Sequence, residues 1–275
     1  MTFYRQHYPS PALSEFIECY WILRMHHDHF NKQRLIPGGR IEVIFNFGSA
    51  VSWMVDEHDH VAGILENDIG LMGQRNKIYF AAFEGPLNLI GIRLKPCGLT
   101  AFSDVPAMLL LNKLVSAGDV FGSCVKDWQE RIHHQKSDDE KFLLLDMLML
   151  SVLRKKPAGL KTMQAMIDSI RTINDPVSIS TICHQAGWNY KKLERSFLKY
   201  TGYTPKQYTS IVRFNKALRQ IDKNNESLTS TGIDCGYYDQ AHFIKECIRL
   251  AGTTPGRLQT EEHSIAGLLV THQPV

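Results

Sequence analysis

The sequence predicts an α+β fold: a β-rich N-terminal domain with flanking helices, then an all-α C-terminal domain of two helix-turn-helix units joined by a long helix. Three observations support this prediction. Residues 33–94 are rich in β-branched and aromatic residues between turn signals. From Leu99 onward, apolar residues recur at helical spacing. The C-terminal hundred residues contain a degenerate internal repeat, which sets the architecture of that part.

The domain boundaries follow these changes of pattern. A chain of 275 residues has room for about two domains. We expect the β-rich domain with its trailing helices over residues 1–156 and the double helix-turn-helix domain over residues 157–262. A linker begins near Arg154 and contains Pro157 and Gly159. Residues 263–275 are expected to form a mobile tail.

Strands are predicted in the N-terminal part where apolar and polar residues alternate between turn residues. The clearest is Arg40–Phe47, which follows Pro37-Gly38-Gly39 and precedes Gly48. Residues 12–23 predict a short helix that runs into a strand. The further strand candidates are Val51–Val55, Ile78–Phe83 and Leu87–Leu94.

Two helices are predicted after the strands, over Asp119–Ile132 and Asp138–Lys156. The middle of the second is apolar nearly all round, because leucine and methionine occupy most positions from 143 to 150. A helix of this kind is either a core element or a surface that faces a partner. The sequence leaves both interpretations open.

The internal repeat has a spacing of 49–50 residues, and its copies start at Ser178 and Ser227. Each copy predicts a short helix, a glycine turn and a second helix, with the turns at Gly187 and Gly236. The two serines are expected to cap the first helix of each copy, and Asp239 the second helix of copy two. Each copy ends in Gly-x-Thr-Pro.

The second helix of each copy has an apolar face and a polar face. In the first copy, Leu193, Phe197 and Tyr200 recur at helical spacing, and Phe243, Cys247 and Leu250 do so in the second. Such a helix docks on its unit by one face and projects polar side chains into a DNA major groove by the other. The outward residues are Lys191, Glu194 and Arg195 in the first copy, and Gln240, Ala241, Ile244 and Lys245 in the second.

Ile244 has two interpretations. It contacts a thymine methyl group, or it is an incidental apolar residue on a helix surface. The sequence favours neither.

A long helix is predicted between the copies, over Thr204–Asp222. At about 1.5 Å per residue it spans roughly 28 Å. That length holds two recognition helices about one DNA turn, roughly 34 Å, apart on one face of the duplex.

These motifs resemble the AraC/XylS family of bacterial regulators over about Met163–Leu258. The most specific stretches are Leu193–Phe197 with Gly202–Pro205, and Cys235–Phe243 with Gly252–Pro255. The resemblance implies base contacts by the seven outward residues. Ile36–Asn46 and Gly91–Gly98 are similar to the β-rich domains that precede this module in a subset of the family.

The chain departs from the family pattern in the second copy. Thr231 and Gly232 stand where the family has an apolar residue and alanine, and Cys247 stands where it has a large aromatic residue. Glycine costs a helix about 1 kcal/mol relative to alanine. We therefore expect the second unit to be less rigid than the first.

Other classes of site find little support. The six cysteines lack zinc-ligand spacing, so we expect buried thiols and no metal. The histidines at 26, 27 and 29, with His58 and His60, are interpreted as polar loops. We expect no catalytic residues, no cofactor, no signal peptide and no membrane span, and a cytoplasmic location.

The sequence thus predicts a DNA-binding transcription regulator whose partner is double-stranded DNA. Residues 161–275 hold 14 Lys and Arg against 10 Asp and Glu, which fits a phosphate-facing surface. Candidate further partners are RNA polymerase, a small-molecule effector and a second copy joined through the N-terminal domain. Arg40, Asn46 and Arg93 are candidate effector ligands. The alternative is an effector-binding enzyme or interaction module with a vestigial DNA domain.

Overall fold

The fold is described from a computed structural model. It describes residues 2–26, 31–54, 60–64, 67–154, 159–172, 179–224 and 232–260. The expected linker core, the caps at Ser178 and Ser227, most of the histidine cluster and the expected tail lie outside these residues.

The N-terminal part consists of two antiparallel sheets. A six-stranded sheet has the order β1-β2-β9-β4-β7-β10, and a four-stranded sheet has the order β3-β8-β5-β6. Every described pairing is antiparallel. The strands are β1 Thr2–His7, β2 Ile17–Met25, β3 Asn31–Leu35, β4 Ile41–Asn46, β5 Val51–Met54, β6 His60–Ile64, β7 Ile69–Met72, β8 Tyr79–Phe83, β9 Leu87–Leu94 and β10 Leu114–Ser116.

Helices follow the sheets and make up the C-terminal part. The α-helices are α1 Ala117–Phe121, α2 Trp128–His133, α3 Asp138–Ser151, α4 Leu160–Thr172, α5 Ile179–Ala186, α6 Tyr190–Thr201, α7 Pro205–Asn224, α8 Gln240–Ala251 and α9 Pro255–Thr260. Residues 232–234 are also helical. Short 3-10 helices cover Gly98–Ala101, Ala107–Leu110 and Ser123–Val125. Among the described helices, none is both long and apolar enough to cross a bilayer.

The six-stranded sheet is covered on both faces. In β2, Tyr20 and Ile22 pack into a large core that continues into the C-terminal helices. The alternate residues Trp21 and Leu23 pack into a second core between the two sheets. A strand buried on both faces reads as a continuous apolar run, which is why residues 12–23 imitate a helix. The predicted short helix is wrong: residues 11–16 form turns, and β2 begins at Ile17.

The four predicted strands are present as β4, β5, β8 and β9, within one residue at each end. The helix predicted over Asp119–Ile132 is wrong as a single element. It is interrupted at Gly122, whose φ of 82° lies in the left-handed region that favours glycine. The helix predicted over Asp138–Lys156 is α3, and it ends at Ser151.

Candidate nucleic-acid interface

The first helix-turn-helix unit is formed by α5, a turn at Gly187 and α6. Gly187 has a φ of 63°, which lets the chain reverse after α5. Trp188 then packs back on the unit, since its backbone N–H donates to the carbonyl oxygen of Cys183 at 2.9 Å. Asn189 caps α6 by accepting from the backbone N–H of Lys192 at 2.8 Å. This cap was not predicted, although asparagine before a helical pattern is a strong N-cap signal.

The two faces of α6 are divided as predicted. Leu193 and Phe197 are fully buried and Tyr200 nearly so. Lys191 and Arg195 are exposed, and Glu194 is half-buried. The side chains expected to meet bases are therefore free of the fold core.

The second unit repeats this construction. Gly236 has a φ of 81° at the turn. Asp239 caps α8 by accepting from the backbone N–H of His242 at 2.6 Å, as predicted. The inner stripe of Phe243, Cys247 and Leu250 is fully buried. Of the outward residues, Gln240, Ala241 and Lys245 are exposed and Ile244 is half-buried.

Gly232 has a packing role that the sequence comparison did not indicate. A Cβ at this position would lie 3.2 Å from the Cδ1 atom of Phe243. This contact is tighter than an ordinary van der Waals contact, so glycine lets the helical residues 232–234 approach α8 closely.

The long helix α7 connects the two units by packing on both. On the first unit, the ring centroids of Tyr208 and Phe197 lie 5.9 Å apart. On the second, Ser210 donates to Glu246, and Arg213 Nη2 donates to Glu246 Oε2 at 2.8 Å. Both α6 and α8 are thus held by one long helix.

Glu246 is a buried carboxylate held by several donors. Burial alone would raise its pKa, but hydrogen bonds from Ser210 and Arg213 outweigh that effect and the pKa of Glu246 is lowered. Arg249 adds a contact at 3.1 Å. The group therefore stays ionised and keeps α8 docked on α7.

The helical part also docks directly on the β-rich part. The hydroxyl of Tyr203 donates to the backbone carbonyl oxygen of Arg75 at 2.7 Å. Asn215 Nδ2 donates to the carbonyl oxygen of Pro37 at 2.9 Å. Gly39 lies so close to α7 that a Cβ there would be 3.6 Å from Ile211. Helix α7 therefore contacts the β-rich part directly.

An apolar cavity lies between the two sheets. Two of its walls are the indoles of Trp21 and Trp53, and no described residue accepts a hydrogen bond from either Nε1 atom. Arg75 also lines the cavity. The other lining residues are Leu23, Leu35, Glu42, Ile44, Val51, Ile64, Met72, Ala81, Leu87 and Leu89.

The three candidate effector ligands do not line this cavity. Arg40 forms an ion pair with Glu18. Asn46 accepts from the backbone N–H of Gly48 at 3.0 Å and donates to the carbonyl oxygen of Ser49. Arg93 Nε donates to Glu42 Oε1 at 2.7 Å in the interior. Each of the three has structural partners within the β-rich part, and an effector contact by any of them stays a prediction.

The described residues contain no group of three or more His, Cys, Asp or Glu that could hold a metal ion. His27, His29 and His58 lie outside the described residues.

Two family models match the chain. Residues 5–116 match a domain of unknown function (DUF6597), and residues 182–261 match a helix-turn-helix domain. The transcriptional regulator ArgR of Pseudomonas aeruginosa is 25% identical over 115 residues, which are 42% of this chain and 35% of ArgR. The transcriptional activator RhaS of Pectobacterium atrosepticum is 24% identical over 91 residues, 33% of each chain.

The matched helix-turn-helix region contains both specific stretches, Leu193–Phe197 and Cys235–Phe243. Over this helix-turn-helix region the chain is similar to regulators of the AraC/XylS family. It spans about a third of the length of the two relatives named above.

A similarity in fold also extends to the β-rich part. The structure of ToxT from Vibrio cholerae aligns with 94% of this chain and 98% of its own, with a TM-score of 0.50 and 11% sequence identity. At this identity the similarity shows the fold alone: N-terminal antiparallel sheets and a helical C-terminal part.

Proposed function

We propose that this chain is a sequence-specific DNA-binding transcription regulator that reads two successive major-groove segments with α6 and α8. One observation carries the proposal. Each helix is capped by an Asn or Asp, buries an apolar stripe completely, and leaves its opposite polar residues at the surface. This division is what a recognition helix requires.

The outward residues supply distinct base-reading chemistry. Arg195 suits bidentate bonding to guanine O6 and N7, and Gln240 suits bidentate bonding to adenine N6 and N7. Glu194 can accept from cytosine N4. Lys191 and Lys245 add positive charge near phosphates, which raises affinity without reading sequence.

Selection of bound sequences from a random DNA pool tests the proposal. Two conserved blocks about one helical turn apart are expected if α6 and α8 read successive grooves. A single block, or no enrichment, would contradict the proposal.

Variants assign the face that reads DNA. Arg195→Ala should weaken binding by roughly 1–3 kcal/mol and relax preference at one base position. Lys126→Ala is the control, because it removes one exposed positive charge from the β-rich part of the chain. Equal effects of the two substitutions on DNA binding would contradict a contact between α6 and DNA.

The β-rich part is proposed to sense a small effector in the apolar cavity. The walls are apolar and the Nε1 atoms of Trp21 and Trp53 have no described acceptor, so the lining favours a mainly apolar molecule with hydrogen-bond acceptors. The cavity volume is about 30 Å³, so such a molecule enters only if the two sheets move apart. Arg75 lines this cavity, and its backbone carbonyl oxygen accepts a hydrogen bond from the hydroxyl of Tyr203 in the helical part. Effector binding would therefore shift the docking of the recognition units. Binding is measured by the quenching of Trp fluorescence on titration with candidate compounds. Trp53→Phe serves as the reference variant.

The alternative is an effector-binding enzyme or interaction module whose DNA domain is vestigial. A salt titration separates the two. Phosphate-driven binding weakens steeply with salt, and specific DNA competes out random DNA. Contacts with RNA polymerase and a second copy of the chain complete the proposed partners.

A further inference from the structure

The first residue of α6 is an exposed tyrosine that meets a carboxylate one helical turn later. Tyr190 is 48% exposed, and its hydroxyl donates to Glu194 Oε1 at 3.4 Å. Residues four apart on a helix are neighbours on its surface, so the two side chains share one face. Both lie outside the buried stripe that contains Leu193 and Phe197. The pair therefore belongs to the surface that α6 presents for reading DNA.

The group that meets Glu194 is neutral. The residues four positions before and after Glu194 are Tyr190 and Leu198, so neither of these helix neighbours is basic. The ammonium group of Lys192 lies 4.4 Å from the ring centroid of Trp188, which is a cation–π contact. A lysine paired with Glu194 would balance the negative charge, whereas a hydroxyl donor orients the carboxylate and leaves that charge intact.

The bond between Tyr190 and Glu194 is suited to form fully when DNA is bound. Burial and the charge of Glu194 raise the pKa of Tyr190, so the hydroxyl keeps its proton and stays a donor. At 3.4 Å the bond is longer than the usual O–H···O distance of about 2.5–3.0 Å, so it is weak while water competes for both groups. Exclusion of water by a major groove lowers the local dielectric constant and strengthens such a bond.

We propose that Tyr190 is a positioning residue that, through the Glu194 carboxylate, makes α6 select cytosine at one position of the DNA site. The inference rests on the proposed function, because it requires α6 to lie in the major groove. One carboxylate oxygen accepts from the hydroxyl of Tyr190, and the other accepts from the N4 amino group of cytosine.

The other three bases are disfavoured by their acceptors. Guanine presents O6 and N7 in the major groove, and thymine presents O4, so each places acceptors opposite a carboxylate. Adenine presents its N6 donor beside the N7 acceptor. A mobile Glu194 could turn away from these acceptors, whereas a Glu194 fixed by Tyr190 meets them directly. The hydroxyl therefore adds discrimination between bases more than affinity for DNA.

Competition binding with duplexes that differ at single positions of the selected site tests this role. The parent chain should prefer cytosine at one position of the block read by α6. Tyr190→Phe should reduce that preference about three- to ten-fold and leave the affinity for random DNA unchanged. Tyr8→Phe is the matched control, because Tyr8 is 64% exposed and lies in the β-rich part. An unchanged cytosine preference in Tyr190→Phe, or equal effects of the two variants, overturns the inference.

A double-mutant cycle separates positioning from a general structural role. Glu194→Ala should abolish the cytosine preference, and adding Tyr190→Phe to this variant should change the preference no further, because the hydroxyl acts only through the carboxylate. Circular dichroism and thermal unfolding of Tyr190→Phe should match those of the parent chain. A loss of preference that is as large without the Glu194 carboxylate as with it would show that Tyr190 acts by another route, and it overturns the inference.

Selection from a random DNA pool distinguishes a failure of this inference from a failure of the proposed function. A chain that selects two sequence blocks but shows no cytosine preference dependent on Tyr190 contradicts the positioning role alone. A chain that selects no sequence contradicts the regulator proposal and, with it, the role of Tyr190.

Discussion

The hydroxyl of Tyr203, two residues after the end of α6, donates to the backbone carbonyl oxygen of Arg75, a residue that lines the cavity between the sheets. The bond measures 2.7 Å, and Tyr203 is fully buried. One residue thus belongs to the wall of the proposed effector site, and its hydrogen-bond partner belongs to the turn that ends α6. Movement of the backbone at Arg75 would therefore act directly on the turn that follows α6.

Tyr203→Phe should remove this hydrogen bond while keeping the aromatic ring. The substitution leaves the Arg75 carbonyl without its donor, so we expect a loss of about 1–2 kcal/mol in the free energy of unfolding. Urea titration measures it. Tyr238→Phe, at a tyrosine that is 91% exposed, makes the same chemical change at the surface and should cost almost nothing. Equal losses in the two variants would mean that the buried bond has no special weight.

The stability of the second unit should depend on acid through Glu246. Its pKa is lowered in the fold, so the folded state binds fewer protons than the unfolded state at low pH. The stabilisation is full above the unfolded pKa of about 4.3 and is lost as pH falls through the lower folded pKa.

The Glu246→Gln variant should therefore be less stable than the parent chain at pH 7. As the pH falls below about 4.3, the variant should lose less stability than the parent chain does. Urea unfolding at a series of pH values checks this, with Glu84→Gln as an exposed control. A variant whose pH profile stays parallel to that of the parent chain would show that Glu246 does not titrate in this range.

Gly187→Ala should destabilise the first unit through its backbone alone. No atom lies within 4 Å of the site of the added Cβ, but the φ of 63° disfavours a residue with a side chain. We expect a cost of about 1–2 kcal/mol, and a smaller cost for Gly187→Asn, because asparagine tolerates the left-handed region. Thermal unfolding of the two variants shows which substitution costs more stability. A neutral Gly187→Ala would mean that the turn relaxes.

Asn189→Ala and Asp239→Ala should each destabilise the recognition helix that follows by about 1 kcal/mol, because each removes an N-cap acceptor. Asn189→Asp keeps an acceptor and serves as the conservative control. Hydrogen exchange of the first-turn amides of α6 and α8 measures local opening. Faster exchange in both helices after either single substitution would show that the units do not open separately.

The sequence predicted the helical part closely because its signals are local. The turn glycine Gly187, the cap Asp239 and the apolar residue Phe197 each lie within a few residues of the turn or helix that they determine. The β-rich part depends on distant pairings instead. β2 pairs with β9 across some seventy residues of chain, and its burial on both faces hides the alternation that identifies a strand.

The effector candidates illustrate the same limit. Arg40 and Arg93 stand out in the sequence as polar residues among strands, but their charges are matched by Glu18 and Glu42 from other strands. Trp21 and Trp53 resemble ordinary core residues in the sequence. Only the packing of the two sheets places both indoles beside one cavity. Polar type alone could not separate a structural ion pair from a ligand site.

Strand β2 is buried on both faces, so its successive residues pack into different cores. Trp21 and Leu23 face the cavity side, and Tyr20 and Ile22 face the core shared with the recognition helices. The alternation holds from Cys19 to Met25, whereas Ile17 lies beyond a β-bulge and packs into the large core. Within that stretch, substitutions at odd-numbered positions change the core between the two sheets, and substitutions at Tyr20 or Ile22 change the core that continues into the C-terminal helices.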